Sequence, residues 1–224
     1  MKTKNIDLML SETLAHYNAD QIIQGSYWRS VDQVGCFIGC LTHGAEAFDV
    51  TAKFGIELPL VRILENIYEG LGKEESKEFF KAIPAAIGED NKNLSLVKWA
   101  FLRDTLKALP KQDKEIQVVI DHVIDGMTLL ADGGVWSDAA AHAAAAHAAA
   151  AYVAAVYAAA AAAHATDDDD DVAYDFGAAA AYAADAAAAT AHAAATAHAA
   201  DAAYSAADER KRQAASILEL MIAS

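Results

Sequence analysis

The sequence contains few of the residues that mark disulfide-rich, membrane or nucleic-acid-binding proteins. Its 224 residues include only two cysteines and three prolines. Two cysteines cannot supply the disulfide framework of a small secreted domain. Acidic side chains outnumber basic ones by 32 to 17, and the resulting formal charge of −15 repels nucleic acid. We therefore expect a reduced, cytoplasmic protein that does not bind nucleic acid directly.

Neither a membrane span nor a secretory leader is indicated. The longest weakly hydrophobic run, 139–165, is mostly alanine and contains three histidines, so it is a poor candidate for insertion into a bilayer. The opening residues MKTKNIDLML are too short for a leader and are followed by Ser11 and Glu12. We expect no membrane association.

Common catalytic and nucleotide-binding motifs are also missing. The chain contains no GxGxxG, P-loop, GxSxG or HExxH pattern. Their absence leaves several enzyme classes without a sequence signal, although it does not exclude an enzyme.

Residues 1–135 predict a helical globular domain. Apolar residues recur at helical spacing from Leu60 to Leu71, from Trp99 to Leu109 and from Ile116 to Leu130. A further helix is expected over 74–83 and should stop at Pro84, because proline disfavours helix at the residue before it. No run of alternating strands is present, so the predicted class is all-α.

Residues 136–224 predict a long alanine-rich antiparallel helical hairpin. Alanine supplies 42 of the 69 residues from 139 to 207, and it has the highest helix propensity. We expect helices over 138–165 and 178–222, packed closely along alanine seams and joined by an acidic loop.

The end of the chain returns to an ordinary amphipathic pattern. Ile217, Leu218, Met221 and Ile222 are expected to dock on the globular domain or to pair between chains of a homo-oligomer. The basic cluster 210–212 is interpreted as a solvated turn.

The stretch YWRSVDQVGCFIGCLTHG is the most specific local signal. If 30–43 is helical, Cys36, Cys40 and His43 share one face, and their thiolates and imidazole could bind zinc. Two alternatives stay open: buried apolar cysteines packed through Gly35 and Gly39, or a nucleophilic cysteine and histidine pair. Tyr27 and Trp28 precede the stretch and could bind a small ligand.

The hairpin carries the candidate partner-binding residues. Adjacent like charges repel and favour a solvated loop at its tip. Large side chains on an alanine background resemble interface anchors. The residues concerned are Asp167, Asp168, Asp169, Asp170, Asp171, Tyr182 and Tyr204.

YWRSVDQVGCFIGCLTHG, followed by KFGIELPLVRILENIYEGL and FFKAIPAAIG, resembles a group of uncharacterised bacterial and phage or prophage proteins. They share a GCxIGCxxHG-like stretch, matched here by Gly35 to Gly44, and an alanine-rich tail. The resemblance covers almost the whole chain. It implies an accessory protein of a mobile element that interferes with a host system, including bacterial immunity.

Composition and resemblance together predict a non-enzymatic inhibitor. Its acidic surface would engage a basic or nucleic-acid-binding host protein. One alternative is a small-ligand binder or metal-dependent enzyme at the Cys36, Cys40 and His43 region, with zinc as its cofactor. Another is a phage structural or scaffold component in which the hairpin only spaces other parts.

Overall fold

A computed structural model describes residues 1–111, 114–137 and 199–224, with no side-chain detail for 115, 116 and 199–206. These residues form a mostly helical protein, which confirms the all-α prediction. The strands are β1 Trp28–Arg29 and β2 Val34–Gly35. The helices of the described residues are α1 Ile6–Asn18, α2 Phe37–Thr42, α3 Ala47–Phe54, α4 Leu58–Gly70, α5 Lys73–Ile87, α6 Val97–Lys107, α7 Lys114–Ala131 and α8 Ala199–Ala223.

The chain divides into two compact units. One contains Met1–Ser95 together with Arg210–Ser224, and the other contains Leu96–Glu209. The predicted docking of the chain end is confirmed for Ile217 and Met221, which are fully buried in the first unit. The predicted hairpin lies mostly within 138–198, outside the described residues, so it and the domain division at 135 stay predictions.

Helix α4 buries its whole apolar stripe in the first unit. Leu60, Ile63, Leu64 and Ile67 recur every three or four residues, and all four are fully buried. Full burial of such a side chain contributes about 1.5–3 kcal/mol. Pro59 occupies the first turn, where its missing N–H leaves no hydrogen bond unmade.

Helix α5 does not end at Pro84. It continues through the proline to Ile87, so the predicted end was wrong. Ile83, Pro84 and Ile87 are all buried, and this burial offsets the hydrogen bond that proline cannot donate. The helix ends at Gly88, whose N–H bonds to the Pro84 carbonyl at 2.9 Å.

The second unit contains the other predicted stripes. Trp99, Leu102 and Leu106 of α6 are buried, as are Val123 and Met127 of α7. None of the described helices combines the length and the apolar character that a membrane span requires.

The stretch 30–43 is not one helix. β1 pairs with β2 in an antiparallel ribbon that places Trp28 opposite Gly35, and the helix begins only at Phe37. The reason is a close backbone approach. A Cβ on Gly35 would lie 2.1 Å from the Tyr27 carbonyl oxygen, and a Cβ on Gly39 would lie 1.5 Å from the same atom. The two glycines therefore let the chain before β1 lie directly on α2.

Replacing Gly39 with alanine should destabilise the first unit strongly. The added methyl would overlap the Tyr27 carbonyl, which is backbone and cannot rotate away. We expect Gly39→Ala to lower the free energy of unfolding by about 3 kcal/mol or more, measured by urea denaturation. Gly44→Ala is the matched control, because its nearest neighbours would lie 3.4 Å away, and its cost should stay below about 1 kcal/mol. Equal stability of the two variants would contradict the close approach.

Candidate metal centre

Three side chains with metal-ligand chemistry converge in the first unit. His16 Nε2 lies 3.0 Å from His43 Nε2. Glu12 Oε2 lies 3.8 Å from His16 Nε2 and 3.7 Å from His43 Nε2. Within the described parts of the chain, these residues form the one group of three or more such side chains whose ligand atoms all lie within 4.8 Å of one another.

The three distances fit a single ion. The circle through the three ligand atoms has a radius of about 2.0 Å, so one point lies at zinc bonding distance, about 2.0–2.2 Å, from all of them. An ion can also move about 0.5 Å out of that plane while each bond stays within this range. The triangle is therefore the right size for a small divalent ion.

Helix α1 supplies two of the ligands. Glu12 and His16 are one turn apart, and this spacing places both on the same face of the helix. His16 is buried, with 8% of its side chain exposed, whereas Glu12 is 25% exposed. The histidine is thus fixed by packing, and the carboxylate lies nearer the surface.

Gln21 fixes the proton on the His16 ring. The Gln21 Oε1 atom lies 2.9 Å from His16 Nδ1, and an amide oxygen only accepts hydrogen bonds. Nδ1 therefore donates, and the lone pair is on Nε2, the nitrogen that faces Glu12 and His43. A partner of this kind orients and strengthens a metal-binding histidine.

The backbone N–H and the backbone carbonyl of Gln21 both form hydrogen bonds. Its N–H bonds to the His16 carbonyl at 3.0 Å, and its carbonyl accepts from the Gly35 N–H at 3.1 Å. The amide is consequently positioned by β2 and by the end of α1.

His43 is placed by the end of α2. It has the left-handed backbone conformation, with a φ of 55°, and its N–H bonds to the Gly39 carbonyl at 2.8 Å. This conformation is unfavourable for a residue with a side chain, and such residues recur at functional sites. The Trp28 ring stacks on the imidazole, with 4.5 Å between ring centroids. The side chain is 48% exposed, so solvent reaches the ligand group from this side.

The cysteines do not belong to this group. Both are buried and free. Burial raises the pKa of the Cys36 thiol to about 11 and that of Cys40 to about 12. The Cys40 thiol donates to the Gly35 carbonyl at 3.2 Å. Of the predicted zinc ligands Cys36, Cys40 and His43, the structure brings only His43 to Glu12 and His16.

The remaining predicted site residues divide into two sets. Trp28 contacts both histidine rings, whereas Tyr27 is exposed and its hydroxyl interacts with Arg62. Asp167 to Asp171 and Tyr182 lie outside the described residues, as does the side chain of Tyr204. The basic cluster is not a solvated turn throughout, because Arg210 is buried and donates to Asn66 Oδ1 at 2.9 Å.

Sequence reasoning missed Glu12 and His16. A local signal was available, since a glutamate and a histidine four residues apart share a helix face. Their partner His43 is 27 residues away and has no spacing that links it to α1. Comparison with protein families, curated proteins and solved structures finds no match to this chain.

The two thiols should be inert in the folded protein. Both are buried and remain protonated at pH 8, whereas thiol reagents attack the thiolate. We expect a disulfide reagent to label no cysteine of the native chain at pH 8 and to label both after unfolding in urea. Rapid labelling of the native protein would contradict the burial of these groups.

Proposed function

We propose that the chain binds one zinc ion through Glu12 Oε2, His16 Nε2 and His43 Nε2. The observation that carries this proposal is the point about 2.0 Å from all three atoms. It is supported by the Gln21 hydrogen bond, which directs the His16 lone pair toward the other two ligands.

The spacing of the ligands favours zinc over iron. Two histidines and a carboxylate also bind iron(II), but as a facial set of an octahedron, whose ligand atoms lie about 3.0 Å apart. In a tetrahedral zinc site they lie about 3.4 Å apart. Here the three distances are 3.0, 3.7 and 3.8 Å, and their mean of about 3.5 Å is nearer to the tetrahedral spacing.

Three protein ligands leave the zinc ion one open position. This arrangement is typical of catalytic and ligand-binding zinc sites, whereas structural sites have four protein ligands. Zinc in such a site polarises or acidifies the oxygen that it binds. We therefore assign the centre to binding a small exogenous ligand, and hydrolysis is the reaction class that it supports.

Removing His43 should abolish one zinc site. The chain has eight histidines, so weak zinc binding elsewhere is expected and the informative quantity is the difference between variants. We expect His43→Ala and Glu12→Gln to lower the affinity of the tightest site by on the order of 100-fold or more, measured by competition with a chromophoric chelator. His43 is half-exposed, so its removal should leave the fold intact.

His122→Ala is the matched control, since this histidine is in the second unit and should leave the tightest site unchanged. Gln21→Ala should weaken binding by about 10–100-fold, because it removes only the partner that orients His16. Retention of the tightest site in His43→Ala would show that the proposal is wrong.

We retain partner binding as a second proposal, supported by the charge of −15 and by a groove in the first unit. The groove, between α5 and the part of α8 after Arg210, has a volume of about 520 Å³. Leu71, Phe79 and Leu218 contribute its apolar lining, and its rim carries Glu74, Glu75, Glu78 and Lys211. An apolar floor with a mainly acidic rim suits a basic protein surface, as an inhibitor of a host protein would require.

Charge reversal tests this second function. Replacing Asp167 to Asp171 with lysine, or Glu74→Lys at the groove, should weaken a complex with a host protein by about tenfold or more at low salt. Asp121→Lys in the second unit is the control for overall charge. Equal effects of all three changes, measured by titration of the purified complex, would exclude a specific acidic surface.

A further inference from the structure

A lysine lies directly beside the three ligand residues. Lys53, near the end of α3, places its ammonium nitrogen 3.9 Å from Glu12 Oε1. The same nitrogen donates to the Leu41 carbonyl at 2.8 Å, which holds the side chain in place. Since an ammonium group has three donors, at least one N–H of Lys53 remains for another acceptor.

The charge at this site is not balanced when a metal is bound. A divalent ion with one carboxylate and two neutral imidazoles keeps one positive charge, and Lys53 adds a second. Asp49, which lies beside Gly44, is exposed, so water screens its charge. An anion at the open position would compensate the excess.

The Glu12 carboxylate shows how far an anion must reach to contact both the metal position and Lys53. Its Oε2 atom faces the two histidines, and its Oε1 atom faces Lys53. One carboxylate therefore already reaches from the metal position to the ammonium group. A second oxyanion of similar size can make the same bridge from the exposed side, where 32% of the Lys53 side chain is accessible.

We propose that the open position of the zinc centre binds an oxyanionic group, a carboxylate or phosphate, of its ligand. One oxygen bonds to the metal, and another accepts a hydrogen bond from Lys53 Nζ. This inference rests on the proposed metal site. It deepens that proposal, because it names the chemistry of the ligand and the residue that selects it.

Cobalt-substituted protein provides the test, since cobalt(II) reports a change of coordination in its visible spectrum. The probes are inorganic phosphate and acetate, titrated separately into the wild type, Lys53→Met and Lys53→Arg. We expect both probes to change the wild-type spectrum with saturation. Lys53→Met should weaken their binding by about tenfold or more, because a charge-assisted hydrogen bond is lost, while Lys53→Arg stays within a few fold of the wild type. The tighter of the two probes identifies the group preferred.

The same titrations distinguish failure of the oxyanion site from failure of the zinc site. Lys53→Met should bind cobalt at least as tightly as the wild type, because it removes a positive charge near the ion. Lys107→Met, in the second unit, is the control for loss of a lysine. If cobalt binds but neither probe alters its spectrum, or if Lys53→Met binds both probes like the wild type, the oxyanion site is wrong and the metal site stands. If cobalt does not bind, both are overturned.

Discussion

The approach of the Tyr27 carbonyl to Gly35 and Gly39 is the constraint on which the rest of the site depends. A side chain at either glycine would push the chain before β1 away from α2. Trp28 would then lose its position against His43, and the Gly35 N–H would lose the carbonyl of Gln21. This one backbone contact therefore places the Trp28 ring against His43. It also fixes Gln21, which orients His16.

The three candidate ligands differ in the exposure of their side chains, which increases from His16 to Glu12 to His43. His16 is buried and held by a neighbour with fixed backbone bonds, whereas Glu12 is partly exposed and His43 is half-exposed at the end of a short helix. The Nε2 atoms of the two histidines lie 3.0 Å apart, within hydrogen-bonding distance. An ion held by both nitrogens, as proposed, would replace this contact.

Local pattern was sufficient for α4, α6 and α7, and insufficient for the site. The stripes of α4 and α7 could be read from spacing, because burial of residues such as Ile63 and Val123 follows the helical period. The continuation of α5 past Pro84 could not, since it depends on the burial of Pro84 and its neighbours. The ribbon at Trp28 could not either, because it depends on the approach of the Tyr27 carbonyl to Gly35 and Gly39. The ligand group could not be predicted either. Glu12 and His16 are one helical turn apart, but only folding of the chain brings His43 to them.

The division of the chain into units has a consequence for the order in which it folds. The first unit, which contains all three candidate ligands, is interrupted after Ser95 and resumes at Arg210. Two of its fully buried side chains, Ile217 and Met221, belong to the resumed part. During synthesis the first 95 residues therefore leave the ribosome without these core side chains, and the core closes only after Met221 has emerged. The residues between, Leu96 to Glu209, are translated in the meantime.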